Sequence, residues 1–209
     1  MKSPTSLVAL ALIGTLALAA CTTPTPAPSP SPSISPSGSE GTPTPTPTVT
    51  AEPLVIPDCE TLLPLESAKA AFSPYTEFSG ELSVSEFQHP LAVSSEATVL
   101  ATANPARACR WGIPKSDGIF ALAVAAITAD DAAALQGELA EAGFVPTASG
   151  TSTSFELEAP ELGPGGAGVV HLFAGRIWII SDSTALQSAN EVADSALEAL
   201  RAANPTSDL

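Results

Sequence analysis

The period of hydrophobic and polar positions changes several times along the chain, and each change predicts an element. Residues 7–18 form an apolar run behind Met1-Lys2. At 12 residues it is too short for a bilayer core, which takes about 20 helical residues. Over 22–53 apolar periodicity disappears, and it returns from Leu54 onward. Asp58 opens a short helical turn that Pro64 ends. Leu65, Ala68 and Phe72 then recur at i, i+3 and i+7, which predicts a helix over 64–72 stopped by Ser73-Pro74. Leu82, Val84 and Glu86 alternate with serines and predict one exposed strand, followed by a loop at His89-Pro90. Residues 97–103 fit a strand and a helical fragment equally well.

The second half is clearer. Segment 108–113 and the apolar run 119–127 flank a turn containing Asp117-Gly118, the signal of a hairpin whose second strand is covered on both faces. Thr128 and Asp131 start a helix over 128–143, with Leu135, Leu139 and Ala142 as its buried stripe and Gly143 as its stop. Strands follow at 144–148, 152–158 and 167–173, the last pairing with 176–181 across a tight turn at Ala174-Gly175. Leu186, Ala189, Ala193, Leu197 and Leu200 mark a final helix over 184–203, closed by Asn204-Pro205. Two strand-strand-helix units in this order predict an α+β domain, an antiparallel sheet with helices packed on one face.

Composition changes the picture at the N-terminus. A lysine, an apolar core and small residues make an export signal over 1–20. Leu18-Ala19-Ala20-Cys21 resembles the lipobox of bacterial lipoproteins, which implies cleavage before Cys21, a diacylglycerol thioether on Cys21 and an acylated new N-terminus such as palmitate. Residues 22–53 hold ten prolines in 32 positions among Thr and Ser. They have too little apolar surface to offset the entropy of ordering, so residues 21–53 read as a lipidated cysteine and a disordered, extended stalk reaching at most about 100 Å.

Residues 54–209 suffice for a single extracytoplasmic domain. Beyond the cut lie six Lys and Arg against 22 acidic residues, a net charge of −16. That balance excludes nucleic acid and adhesion to anionic lipid as partners. The membrane is therefore engaged through lipid on Cys21, and two or three acyl chains hold stably where one does not. With Cys21 assigned to lipid, Cys59 and Cys109 remain as a pair. In an exported chain they read as one disulfide, worth about 4 kcal/mol for a loop of 51 residues in the chain-entropy argument.

Candidate chemistry is sparse. Trp111 lies two residues after Cys109, on the same strand face, and reads as packing over the disulfide or as a ligand platform; Trp178 in the apolar run 176–180 reads as core or as a ligand platform. His171, within Val170-His171-Leu172-Phe173, is a satisfied strand histidine or a base acting with a distant serine and Asp182. No serine stands in a nucleophile-elbow pattern. Trp111, His171 and Trp178 are the candidates for ligand contact, and no catalytic residue, metal ligand set or cofactor is assigned. Residues 163–168 satisfy G-x-G-x-x-G but precede a strand and open no helix, so they read as a loop. Glu156 and Glu158 share a strand face near Glu161 and read as a solvated edge or a calcium site.

The lipobox, the Thr/Pro stalk, Cys59 with Leu62-Leu63-Pro64, Cys109-Arg110-Trp111 and Gly175-Arg176-Ile177-Trp178-Ile179 together resemble small actinobacterial envelope lipoproteins with a Cys-plus-Cys-x-Trp domain. The resemblance implies an envelope location and a disulfide, and it carries over no catalytic residue. The expectation is a monomer anchored to the outer face of the cell membrane, displaying a non-catalytic binding or accessory domain to an envelope protein or cell-wall partner. The alternatives are an envelope hydrolase and a structural or sensor domain without a small ligand.

Overall fold

The computed structural model describes residues 53–162 and 165–209. The signal segment 1–20, Cys21 and the stalk up to residue 52 lie outside the described residues, as do Gly163 and Pro164. All described residues fall in one compact unit.

The fold is α+β. Short helices α1 (Cys59–Leu62) and α2 (Leu65–Ala71) lead to strand β1 (Glu77–Leu82), a 3-10 turn at Val84–Glu86 and helix α3 (Glu96–Thr102). Strands β2 (Ala106–Gly112) and β3 (Ile119–Ala126), helix α4 (Ala129–Glu141), strands β4 (Val145–Ser149), β5 (Ser152–Ala159), β6 (Ala167–Ala174) and β7 (Ile177–Ser183), and helix α5 (Leu186–Ala203) complete it. The seven strands form one sheet in the order β1-β2-β3-β7-β6-β5-β4, every neighbouring pair antiparallel. Hairpins β2–β3 and β6–β7 are joined where β3 pairs with β7, from Ala121 opposite Asp182 to Ala126 opposite Ile177. Both joining strands lie at the centre, which is why each reads as a continuous apolar run.

The pleat sends alternate side chains to opposite faces, and each face has its own core. Trp111, Phe120, Leu122, Val124, Val170, Leu172, Ile177 and Ile179 pack with α1, α2 and α5. Ala108, Ala121, Ala123, Ala125, Val169, Phe173, Trp178 and Ile180 pack with Val99 and Leu100 of α3, Leu135 and Leu139 of α4, and Phe87. Helices thus cover both faces, where the element order alone predicts one. On this second face the segment 83–105 contributes Phe87, Val99 and Leu100 to the core as a cap.

The Cys59–Cys109 disulfide is formed and ties α1 to β2 inside the first core. Trp111 stacks on Phe120 with ring centroids 5.5 Å apart and tilts against Phe78 at 5.4 Å. At the other end of the chain the Asn204 side chain accepts from the Val55 N–H at 2.7 Å and donates to the Val55 and Leu200 carbonyls at 2.8 Å. It thereby pins the start of the domain to the end of α5.

Several local expectations are corrected. The first strand occupies 77–82 and ends at Leu82, because Ser83 caps the turn that follows: its N–H and Oγ both meet the Glu86 carboxylate, at 3.0 and 2.8 Å. Residues 96–102 are helical, which decides between the two readings open to 97–103, with Val99 and Leu100 buried side by side. Ala142 is exposed at the C-cap of α4, so Leu135 and Leu139 alone form its buried stripe. Leu65 is exposed although it shares the period of Ala68. The β6–β7 turn is Gly175-Arg176, one residue later than expected, with Gly175 at a φ of 56° that glycine takes without cost.

Candidate functional site

The second face of the sheet carries a wholly buried polar cluster. His171 sits mid-strand in β6, between Val169 and Phe173 on that face, and a neutral imidazole in such surroundings needs a hydrogen-bond partner. The Trp178 indole N–H of neighbouring β7 supplies one, donating to His171 Nδ1 at 3.3 Å. An indole nitrogen only donates, so Nδ1 is the acceptor and the proton of the neutral ring sits on Nε2. Phe144 packs edge-on against the same imidazole with ring centroids 5.1 Å apart.

The cap brings two further groups down onto His171. His89 lies in the loop before Pro90, and Glu96 is the first residue of α3. The Glu96 carboxylate holds His89 Nε2 through both oxygens, at 2.8 and 3.0 Å, and one of those oxygens lies 3.9 Å from His171 Nε2. The side chains of His89, Glu96 and His171 are 0%, 3% and 0% exposed. His89 Nδ1 and His171 Nε2 are buried without a hydrogen-bond partner. The chain has two histidines, and the fold brings both to one carboxylate.

Electrostatics follow from burial. His171 is held well below the ordinary imidazole range by desolvation first and by the charge of His89 second. Asp182, on the same face of β7, is pushed up to about 6 by burial; His89 pulls it down and Glu96 pushes it further up. His89, Glu96 and His171 also form, among the described residues, the one group of three His, Cys, Asp or Glu side chains whose donor atoms all lie within 4.8 Å of one another. Such a set can hold a proton or a cation; sealed beneath the cap, it meets no substrate from solvent.

The other residues singled out by sequence fall elsewhere. Trp111 is on the opposite face, fully buried beside the disulfide, with its indole nitrogen unpartnered. Trp178 and His171 are fully buried too, so none of the three contacts a ligand at the surface of this conformation. Glu156 accepts from Ser154 at 2.7 Å and from Asn190 at 3.3 Å, and Glu158 is exposed. Gly168 lies in β6 where α5 begins; a Cβ there would collide with the Ala185 and Leu186 backbone. Its place in the apparent Gly-rich motif is thus a packing requirement. Sequence reasoning missed His89 and Glu96. The signal for them was indirect: a histidine inside an apolar strand demands a polar partner from somewhere in the fold.

A surface feature stands apart from the cluster. Leu65, Lys69, Pro74, Tyr75, Ile113 and Pro114 line an open groove of about 640 Å³, with Tyr75 74% exposed. Among the described residues no helix is long and apolar enough to cross a membrane. No family model matches the chain, and neither a curated protein nor a solved structure matches it.

Proposed function

We propose that this chain is an exported lipoprotein, anchored through Cys21 to the outer face of the cell membrane, whose folded domain works by non-covalent binding as an accessory module. The observation that carries the reading is the Cys59–Cys109 disulfide in the core. Such bonds persist in oxidising compartments outside the cytoplasm, and the bond agrees with the export signal and lipobox in the sequence. The binding half of the reading is supported by the contrast between the two polar features. The titratable cluster is closed to solvent, whereas the groove at Tyr75 offers an exposed aromatic ring and two prolines to a partner, beside the Lys69–Glu66 ion pair. Aromatic rings with a polar tip are favoured at recognition surfaces because they bury area at small entropic cost.

The test is the intact mass of the protein extracted from membranes, with and without reduction, beside a Cys21→Ala variant. A chain starting at Cys21 and carrying acyl groups, with a gain of about two daltons on reduction, is the expected result. An unlipidated mass overturns the anchor. For the binding half, a photo-crosslinking residue replaces Tyr75 in the membrane-anchored chain, with exposed Glu60 as the control position. A discrete adduct at Tyr75 alone is expected, and equal or absent labelling at the two positions overturns the groove.

A further inference from the structure

We infer that His89, Glu96 and His171 form a site for one divalent transition-metal ion of the zinc class, held between the cap and the sheet. The inference goes beyond the binding reading above and stands independently of the lipid anchor and the Tyr75 groove.

Three observations carry it. The donor set is two imidazoles and one carboxylate, which suits zinc and its neighbours; calcium and magnesium prefer all-oxygen shells. The spacing is close to what an ion needs. Tetrahedral zinc with bonds of about 2.0–2.1 Å puts its donor atoms about 3.3 Å apart, and here the Glu96 oxygens lie 2.8 and 3.0 Å from His89 Nε2 and 3.9 Å from His171 Nε2. Small rotations, one opening and one closing, equalise these edges. Finally, His171 Nε2 is aimed into the cluster, fully buried and without a partner, which is a standing cost that an ion removes.

The surroundings favour an ion in charge and oppose it in hydrogen bonding. Glu96 neutralises one charge of a divalent ion, and Asp182 stands on the same face of the sheet, in β7. Trp178 opposes binding: an ion at Nε2 moves the ring proton to Nδ1, which then gives up the 3.3 Å bond from the indole. An ion at His89 Nε2 likewise displaces the proton that this nitrogen shares with Glu96 at 2.8 and 3.0 Å and leaves the ring proton on Nδ1, which has no partner. Three metal–ligand bonds stand against these losses, which lower affinity without abolishing it. Two of the three ligands belong to the cap and the third to β6, so the ion joins the 83–105 segment to the sheet. Access to the buried site goes through opening of that segment.

The test uses the full chain, unfolded in urea with its disulfide intact, refolded with Zn²⁺ or Co²⁺, and freed of excess metal by gel filtration. Refolding removes any barrier set by the closed cap. The expected result is one retained equivalent, a raised Tm, and for Co²⁺ the intense visible absorption of a tetrahedral N/O site. Glu96→Gln, which preserves shape, weakens retention by at least about tenfold; Trp178→Phe strengthens it. His171→Gln repeats the loss where it folds, and Glu96→Gln carries the conclusion where it does not. A folded wild-type chain that retains no metal overturns the inference. So does equal retention by Glu96→Gln, which would place the ion on the acidic surface.

Discussion

Trp178 donates its indole N–H to Nδ1 of His171 across 3.3 Å, with both side chains fully buried. This one bond decides which imidazole nitrogen faces Glu96. It also separates the two tryptophans, because the Trp111 indole nitrogen is buried without a partner.

The two tryptophans therefore respond differently to the same change. Each Trp→Phe substitution removes similar volume, but Trp178→Phe also leaves the acceptor on His171 orphaned. We expect Trp178→Phe to lose about 1–3 kcal/mol more than Trp111→Phe, read from urea unfolding midpoints at neutral pH. Equal losses would mean that the indole–imidazole bond contributes nothing.

Asp182 gives a pH-dependent prediction. Its carboxyl is raised from 3.8 to about 6 by burial, so between those values the folded chain binds more protons than the unfolded one. Its contribution to stability is present in full below pH 4, declines as pH rises to about 6, and is flat above. Asp182→Asn should accordingly gain on the wild type by about 1–3 kcal/mol between pH 4 and pH 7. The titration of His171, whose buried charge is disfavoured and so runs in the opposite sense, is common to both proteins and largely cancels in the difference. A difference between the two proteins that does not change with pH would sink the assignment.

The disulfide closes a loop across a sequence separation of 50. Replacing both cysteines by alanine should lower stability by about 4 kcal/mol. Reduction of the wild type should give a loss of similar size. A much smaller loss in both would show that the unfolded chain is already constrained without the bond.

Two glycines should change in opposite directions. At Gly168 an added methyl meets the Ala185 and Leu186 backbone, which cannot move without shifting the start of α5. Gly168→Ala is expected to cost about 1–3 kcal/mol. At Gly137, inside α4, nothing lies within 4 Å, and Gly137→Ala should stabilise by about 0.5–1 kcal/mol. Thermal melts of the two variants check both signs at once.

Much of the fold was legible because it is written in local period. The apolar runs of β3 and β7, the Asp117-Gly118 hairpin, the Thr128 cap of α4 and the stripe of α5 each follow from residues close in sequence. The cysteine pairing was legible on the expectation, from the lipobox resemblance, that Cys21 carries lipid. Less legible were the exposure of Leu65, set by where α2 meets the groove, and the second helical layer, set by how the 83–105 segment returns over the sheet.

By itself, then, the sequence determined the class of fold, the central strands and the main helices, because periodicity and capping act over a few residues; the pairing of Cys59 with Cys109 followed only with Cys21 set aside on its resemblance to a lipobox. Only the tertiary structure decided that His89, Glu96 and His171 share one buried volume. His89 stands in an irregular loop and Glu96 at a helix start, with no common period between them, and a strand 75 residues beyond Glu96 supplies the third group. Long-range packing of Phe87, Val99 and Leu100 into the second core brings them together, and no local pattern encodes that contact.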